Sequence, residues 1–415
     1  MPGVGASRRP AFARCVAIEP ATFAATYWGR APLLSRAAEF GDRAGFTDLL
    51  DQAGADELLS RRGLRTPFLR VAKNGAMLPE AVFTGGAGAG AEIGDQVLDE
   101  QVLGLYADGA TLVLQGLHRM WPPLVDFAGE LATTLRQPVA VNAYLTPAAN
   151  QGFATHYDTH DVFVLQVQGR KRWRLHEPVL PDPLECQPWS GRAGEVRAQA
   201  QDRRPVLDTV LVPGDALYLP RGWLHSATAE QDSSLHLTVG IRALTRYALV
   251  EALLALAAAD PRLRAPLPLR LDVGDPDEIE PELSETVEAL RDWLTTAQSE
   301  QVAADLRRRG WPTARPAPLR PLAQAARIRV LGTDDVIRIR AGLRWRLAAR
   351  PDNRVAVQVF DRTVSFPGHC APALRAVLAG PGIRVGDLPG LHDDADRLVL
   401  ARRLLREAIV VGANG

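Results

Sequence analysis

Residues 152–173, GFATHYDTHDVFVLQVQGRKRW, and residues 213–225, PGDALYLPRGWLH, decide the reading of this chain. In the first stretch His156 and Asp158 stand two apart at the entry to an apolar run. Residues so spaced on an extended strand leave the same face, so an imidazole and a carboxylate can reach one ion. In the second stretch Pro213-Gly214-Asp215 turns the chain, Ala216 to Leu219 read as a strand, and Pro220-Arg221-Gly222 turn it again before His225. Two imidazoles and one carboxylate on one side of an ion, with its other positions open, form the donor set of non-haem ferrous iron.

Around these motifs the sequence is strand-rich. ATLVLQG, PVAVNAYLTP, DVFVLQVQGRKRWRLH, DTVLVPGDALYLP and SLHLTVGIRAL are each of strand length or a strand pair, and each is closed by turn residues. The expected architecture for residues 1–243 is therefore mainly β, a sandwich or barrel with helical decoration before it. Residues 244–312 change texture: RYALVEALLALAAA and LSETVEALRDWLTTAQSEQVAADLRRR have helical spacing, with carboxylates early and arginines late. WPTARPAPLRPL reads as a proline-stiffened linker. Residues 320–415 read as a small α+β domain of winged-helix size. Its expected strands are IRVLG, VIRIRAG, LRWRLAA and VAVQVF, and its expected helices lie in APALRAVLAG and ADRLVLARRLLREAIVV.

The 415 residues carry 48 basic and 48 acidic side chains, so no global field favours nucleic acid or an acidic membrane surface. Cys15, Cys186 and Cys370 are far apart and form no C-x-x-C pair, which argues against disulfides and cysteine-bound zinc and for a cytoplasmic protein. No signal-peptide core follows the N-terminal arginines, and the most apolar run, near Tyr247 to Ala258, is short and interrupted by Glu251, so no membrane span is expected. There is neither a Ser-His-Asp elbow nor a phosphate-binding glycine loop.

Gly214, Pro220 and His225 have the G-x5-P-x4-H spacing of the second cupin motif. With HYD at 156–158, a basic residue thirteen positions beyond Asp158 within GRKRWRL, and LYLPRGWLH, the chain resembles the JmjC class of cupins and, within it, the ribosomal-oxygenase subgroup. AATYWGRAPLL, around Tyr27, is similar to that subgroup's N-terminal entry, and IRVGDLPGL at 383–391 to its terminal domain. The likeness covers most of the chain. It implies a double-stranded β-helix, a helical segment that joins two copies into a homodimer, and a C-terminal winged-helix-like domain.

The resemblance also implies Fe(II) on His156, Asp158 and His225, with 2-oxoglutarate as cosubstrate and O2 as oxidant. Lys171 falls where the subgroup places the cation for the distal carboxylate of 2-oxoglutarate, and Arg170 and Arg172 would then face the other side of the strand. Asn142, Tyr144 and Thr238 match polar positions of the cosubstrate pocket, although the segment from His225 to Thr238 is slightly shorter than in relatives. His160 reads either as pocket wall or as a structural histidine, His236 as a group able to orient its neighbours, and Arg221 and Trp223 as shaping the mouth.

The implied substrate is a polypeptide, a ribosomal protein hydroxylated on histidine or arginine, with a biosynthetic precursor peptide as the close variant and demethylation ranked lower. Two other classes stay open. A non-oxygenase metal cupin would keep the triad without needing Lys171. A nucleic-acid-binding regulator would use the last helix, where Arg397, Arg402, Arg403 and Arg406 are offset by Asp393, Asp394 and Asp396.

Overall fold

The computed structural model describes residues 9–43, 45–311 and 314–413; the initial MPGVGASR and Pro312–Thr313 of the expected linker lie outside the described residues. The chain divides into two compact units, Met1–Ala243 and Leu244–Gly415.

The first unit begins with helices α1 (Ala11–Cys15), α2 (Pro20–Thr26), α3 (Gln52–Arg61), α4 (Asp99–Ala107), α5 (Leu117–Met120) and α6 (Pro122–Leu135). Short strands β1 (Leu33–Ser35), β2 (Leu69–Lys73), β3 (Ala76–Met77), β4 (Thr84–Gly85), β5 (Gln96–Val97) and β6 (Thr111–Leu114) are interleaved with them. Then come β7 (Val139–Thr146), β8 (Asp161–Gln168), β9 (Lys171–His176), α7 (Ala193–Asp202), β10 (Leu207–Leu211), β11 (Ala216–Leu219), β12 (Leu224–Ala229) and β13 (Ser234–Ile241). One antiparallel sheet runs β1-β11-β8-β13-β7-β6-β2-β3; a second, β10-β9-β12, faces it. This is the jelly-roll arrangement of the cupin and JmjC fold.

Strand β8 explains why its sequence is apolar without a break. Phe163, Leu165 and Val167 join Phe12 and Phe23 in the core under the N-terminal helices, while Val162 and Val164 meet Trp173, Leu175, Leu211, Leu217 and Leu219 between the sheets. A strand covered on both faces has no reason to alternate. Strands β7 and β13 do alternate: Val141, Ala143, Leu145, Leu235, Leu237 and Val239 pack under the helices, which turns Tyr144, Thr146, His236 and Thr238 to the other face of the sheet. At the β8–β9 turn Gly169 has φ +67°, and a Cβ there would stand 2.0 Å from the Ser233 carbonyl, so only glycine closes it.

The second unit opens with α8 (Arg246–Ala257), α9 (Pro276–Thr296) and α10 (Ser299–Gly310), followed by α11 (Pro321–Val330). Two three-stranded sheets follow, built from β14 (Val336–Ile339), β15 (Trp345–Ala349), β16 (Arg354–Val359), β17 (Arg362–Pro367), β18 (Ile383–Arg384) and β19 (Val410–Gly412), in orders β18-β14-β19 and β15-β16-β17. Helices α12 (Ala371–Ala379) and α13 (Asp394–Arg406) pack on them through Leu374, Val377, Leu400 and Leu404.

Two stretches of the second unit fold otherwise than their sequence pattern suggests. Ile328–Val330, read as a strand, ends helix α11: Pro321 presets the first turn and Leu, Ala, Gln and Arg extend it, outweighing a short β-branched alternation. The end of ADRLVLARRLLREAIVV is strand, not helix. Ala408 takes the left-handed conformation at φ 56°, and Val410 and Val411 then pair with Ile339 and Arg338.

Candidate metal centre

The two motif segments are joined by their own backbone. His156 N–H donates to the His225 carbonyl (3.2 Å), His225 N–H to the His156 carbonyl (2.8 Å), and Gly222 N–H to the Asp158 carbonyl (2.9 Å). Asp161, fully buried at the start of β8, accepts from Arg221 N–H (2.9 Å) and from the Tyr218 hydroxyl (3.2 Å), which fixes the second motif to the first. Gly222 has φ +88°, and a Cβ there would lie 2.8 Å from the Leu180 carbonyl and from Pro183, so the packing of the second motif's turn against the segment after β9 depends on that glycine.

This pairing brings His156, Asp158 and His225 together, each offering a ligand atom within 4.8 Å of the others. His225 Nε2 is 3.7 Å from Asp158 Oδ2, and the two imidazole centroids are 4.4 Å apart. Each imidazole is oriented by a backbone carbonyl: Nδ1 of His156 is 2.8 Å from the Ala154 carbonyl, and Nδ1 of His225 is 3.1 Å from that of Trp223. A carbonyl can only accept, so both rings carry the proton on Nδ1 and leave an Nε2 lone pair for a cation. Burial, reinforced by His156, draws His225 down to about 4, with Asp158 opposing. Burial works against the Asp158 carboxylate, but His225, His160 and His156 together hold it below the usual range. The His225 imidazole, kept neutral by burial, beside the ionised Asp158 carboxylate fits a divalent ion.

From this corner a narrow cavity runs into the barrel, lined by Tyr144, Phe153, Val162, Val164, Lys171, Trp173, Leu219, His236, Thr238 and Thr111. Lys171 is 3% exposed and its Nζ donates to Thr146 Oγ1 at 2.8 Å, with Thr111 Oγ1 3.2 Å further along. Burial lowers its pKa to about 7. Arg172, on the opposite face, is exposed and pairs with Asp208. The Tyr144 phenol is raised well above its ordinary value by burial and by the Asp158 charge. Its ring lies parallel to that of His236, centroids 4.9 Å apart.

Six of the seven residues expected at the site from the sequence thus meet in one corner and cavity. Asn142 does not line it. Its Oδ1 accepts from Gly116 N–H (3.1 Å), and it is the Cα partner of Thr238. His160 sits close against Gly240, where a Cβ would come within 2.8 Å of the ring, and does not line the cavity either. Trp223 contributes its carbonyl, and Arg221 its amide and an ion pair with Asp182. His118 is structural, its Nδ1 accepting from Val141 N–H. Trp173, Thr146 and Thr111 were not singled out by sequence reasoning, although the alternation K-R-W on β9 and the Asn-x-Tyr-x-Thr spacing on β7 put Trp173 and Thr146 on the faces of Lys171 and Tyr144.

Residues 126–249 match the JmjC domain family. This chain carries a JmjC domain. Among curated proteins it is similar to the bifunctional lysine-specific demethylase and histidyl-hydroxylase NO66 of Drosophila pseudoobscura pseudoobscura, 45% identical over 138 residues, covering 32% of this chain and 14% of the relative. The Drosophila melanogaster protein of the same name is 38% identical over 161 residues, covering 38% of this chain and 24% of the relative. The matched part is thus under a quarter of either relative's length. Among solved structures the chain is similar to the Escherichia coli ribosomal oxygenase YcfD, with TM-score 0.52 and 18% identity over 95% of this chain and 98% of that one. A YcfD complex with cobalt and 2-oxoglutarate matches with TM-score 0.50 and 17% identity over the same shares. At these identities the likeness is one of fold.

Proposed function

We propose that the JmjC domain makes this chain an iron(II)- and 2-oxoglutarate-dependent oxygenase that hydroxylates a side chain, histidine or arginine, of a polypeptide. The observation that carries the reading is a three-donor corner and a buried ammonium at two points of one cavity. When bound, ferrous iron and 2-oxoglutarate would supply the oxidising chemistry: one atom of O2 enters 2-oxoglutarate as it loses CO2 to give succinate, and the other enters a substrate C–H bond as hydroxyl. The residues of the chain supply geometry and charge.

His156 and His225, held through Nδ1, keep their Nε2 lone pairs on the metal position, with Asp158 beside them. Lys171, anchored by Thr146, presents a cation to the far carboxylate of the cosubstrate. Tyr144 and Thr238 offer hydroxyls along the wall, while Val162, Val164 and Leu219 keep that wall apolar and limit the water around the reacting atoms. Phe153 and Trp189 flank the His156 ring, at centroid distances of 5.9 and 6.2 Å, and could hold the substrate near the metal position. A metal cupin without oxygenase activity would have no use for an unpaired ammonium buried in the cavity wall, which puts that reading second.

Protein with ferrous iron, 2-oxoglutarate and O2 should form succinate even without substrate, whereas His156→Ala should fall to background. Absence of both turnover and metal-dependent 2-oxoglutarate binding in the wild type would refute the oxygenase. The relatives' names, histidyl-hydroxylase and ribosomal oxygenase, direct the substrate search first to ribosomal proteins, then to precursor peptides.

Residues 244–312 we assign to homodimerisation and 320–415 to a winged-helix-like domain. Support for the first comes from α9, where Leu283, Val287 and Leu294, spaced i, i+4, i+11, are 50%, 54% and 42% exposed, an apolar stripe on an otherwise charged helix. Sedimentation should give a dimer for the wild type and a monomer for the double variant Leu283→Glu/Val287→Glu; a monomeric wild type would end this assignment. The terminal unit's three helices and small sheets support the second; on α13, Arg397 and Arg403 pair with Asp394 and Glu407. No described helix is long and apolar enough to cross a membrane, and the three cysteines are free, in keeping with a cytoplasmic setting.

A further inference from the structure

The cavity contains two polar atoms that the mechanism above does not use. Trp173 Nε1 and His236 Nδ1 are buried and have no hydrogen-bond partner among the described residues, in side chains only 4% and 3% exposed. Buried polar groups are nearly always paired, and an unpaired one costs enough that its persistence calls for an explanation. An indole N–H is a donor only, so whatever satisfies Trp173 must be an acceptor.

Its position narrows the choice. The Trp173 ring lies 6.0 Å from the ring of His225 and 5.5 Å from that of His236, and Trp173 follows Lys171 by two residues on the same face of β9. In the β9–β12 register His225 stands opposite Leu175, so Trp173 falls along the strand between the level of the metal corner and that of Lys171. The neighbourhood is rich in donors. Thr146 takes one of the three ammonium N–H bonds of Lys171, and Tyr144 and Thr238 add hydroxyls. Apart from Asp158 at the metal corner, the residues lining the cavity include no carboxylate.

We propose that Trp173 is a cosubstrate-recognition residue, its indole N–H donating to a carboxylate oxygen of the bound 2-oxoacid, with His236 as its neighbouring polar contact. This deepens the oxygenase reading and rests on it. The indole adds a directed donor two residues along β9 from the Lys171 charge, so the pair discriminates against 2-oxoacids whose far end is uncharged. Lys171 supplies charge; Trp173 supplies direction.

The test is calorimetric titration of 2-oxoglutarate into the full chain loaded with manganese(II) under anaerobic conditions, comparing wild type with Trp173→Phe. The substitution keeps the ring plane and removes the donor. The expected result is binding weakened by about tenfold, the size of one lost hydrogen bond to a charged group. Manganese affinity and the melting temperature of the metal-free protein should hold or rise, because the unpaired donor has gone. Unchanged 2-oxoglutarate affinity in Trp173→Phe overturns the proposal, as does a parallel loss of melting temperature and manganese binding, which would mark Trp173 as a packing residue. A wild type that does not bind 2-oxoglutarate refutes the oxygenase reading instead, so the two failures are distinguishable. Should Trp173→Phe fail to fold, the indole 1H–15N resonances of the zinc-loaded wild type decide: a slowly exchanging indole proton must move downfield on adding 2-oxoglutarate, and the absence of any such shift overturns the proposal.

Discussion

The two units of this chain are built on opposite interiors. Among the described residues, the buried polar and charged side chains lie in the first unit, from Ser35 through Thr111, Thr146, Lys171 and His225 to His236, with Asp305 the exception in the second. The core of the terminal sheets and helices is instead apolar throughout, from Leu331 and Ile337 to Leu404 and Val410. An apolar core is the cheaper construction, since each buried polar group must find a partner. In unit one Lys171, His225 and His236 are buried at the cavity that the proposed chemistry would use, while Asp161 and Asp215 tie neighbouring segments together. Deleting an interior group should therefore cost stability in one unit and function in the other.

The largest expected effect falls on the apolar side. Leu404 is fully buried on α13 among the residues of the terminal core. Leu404→Ala should destabilise that unit by about 2–5 kcal/mol, the range for a leucine cavity in a packed core. Hydrogen exchange of α12 and α13 peptides would read the loss, while 2-oxoglutarate affinity should not move. A change in cosubstrate affinity would break the separation of roles.

The converse substitution is Lys171→Met. Replacing a buried ammonium by an apolar group of similar length should leave the metal-free fold as stable or more so, yet weaken 2-oxoglutarate binding by about tenfold to a hundredfold, the worth of a hydrogen bond to a charged group. The pH dependence sharpens this. Burial lowers the pKa of Lys171 to about 7, whereas the unfolded chain holds that proton to about 10.4. The native state thus loses the proton first, so this group makes stability rise with pH between the two values and lose that gain as pH falls through 7. Cosubstrate affinity runs the other way: both carboxylates of the ligand stay ionised, and above pH 7 binding must take up a proton, so affinity falls by up to about tenfold per pH unit. Titrations from pH 6 to 9 should show this slope in the wild type and a flat profile in Lys171→Met. A flat wild-type profile would detach Lys171 from the cosubstrate.

How much of this was legible in the sequence follows from the same contrast. The triad could be read because chemistry fixes residue types at fixed spacings: His156 and Asp158 share a strand face, and the turn residues Gly214, Pro220 and Gly222 mark where His225 must fall. Lys171 could be read from the alternation of its strand and the family likeness. Trp173 was hidden, since a tryptophan on the buried face of β9 looks like packing until its neighbours on β12 and β13 are in place and none of them accepts its N–H. Asn142, on the Tyr144 face of β7, accepts from the Gly116 amide, a partner remote in sequence that the strand pattern does not announce. In the second unit the misread ends of α11 and α13 were decided by a proline at a helix start and a left-handed Ala408, local devices that short apolar alternations outshouted.

The smallest effect tests whether an acidic side chain means different things in the two units. Asp158 stands in the metal corner, where its charge is the point. Asp393 precedes α13, and its Oδ1 accepts from Asp396 N–H at 2.8 Å, satisfying one of the free amides of the helix start. Asp393→Ala should cost about 1 kcal/mol in the terminal unit, and Asp393→Asn, which keeps an acceptor, much less. If the hydrogen bond is what counts, hydrogen exchange of α13 will rank aspartate near asparagine and both above alanine. Should asparagine behave like alanine, the contribution is the charge acting on the helix dipole, and raising salt would then erase the difference. Either way 2-oxoglutarate affinity should stay fixed, because an acid that caps a helix is replaceable by any acceptor and an acid in the donor corner of the JmjC domain is not.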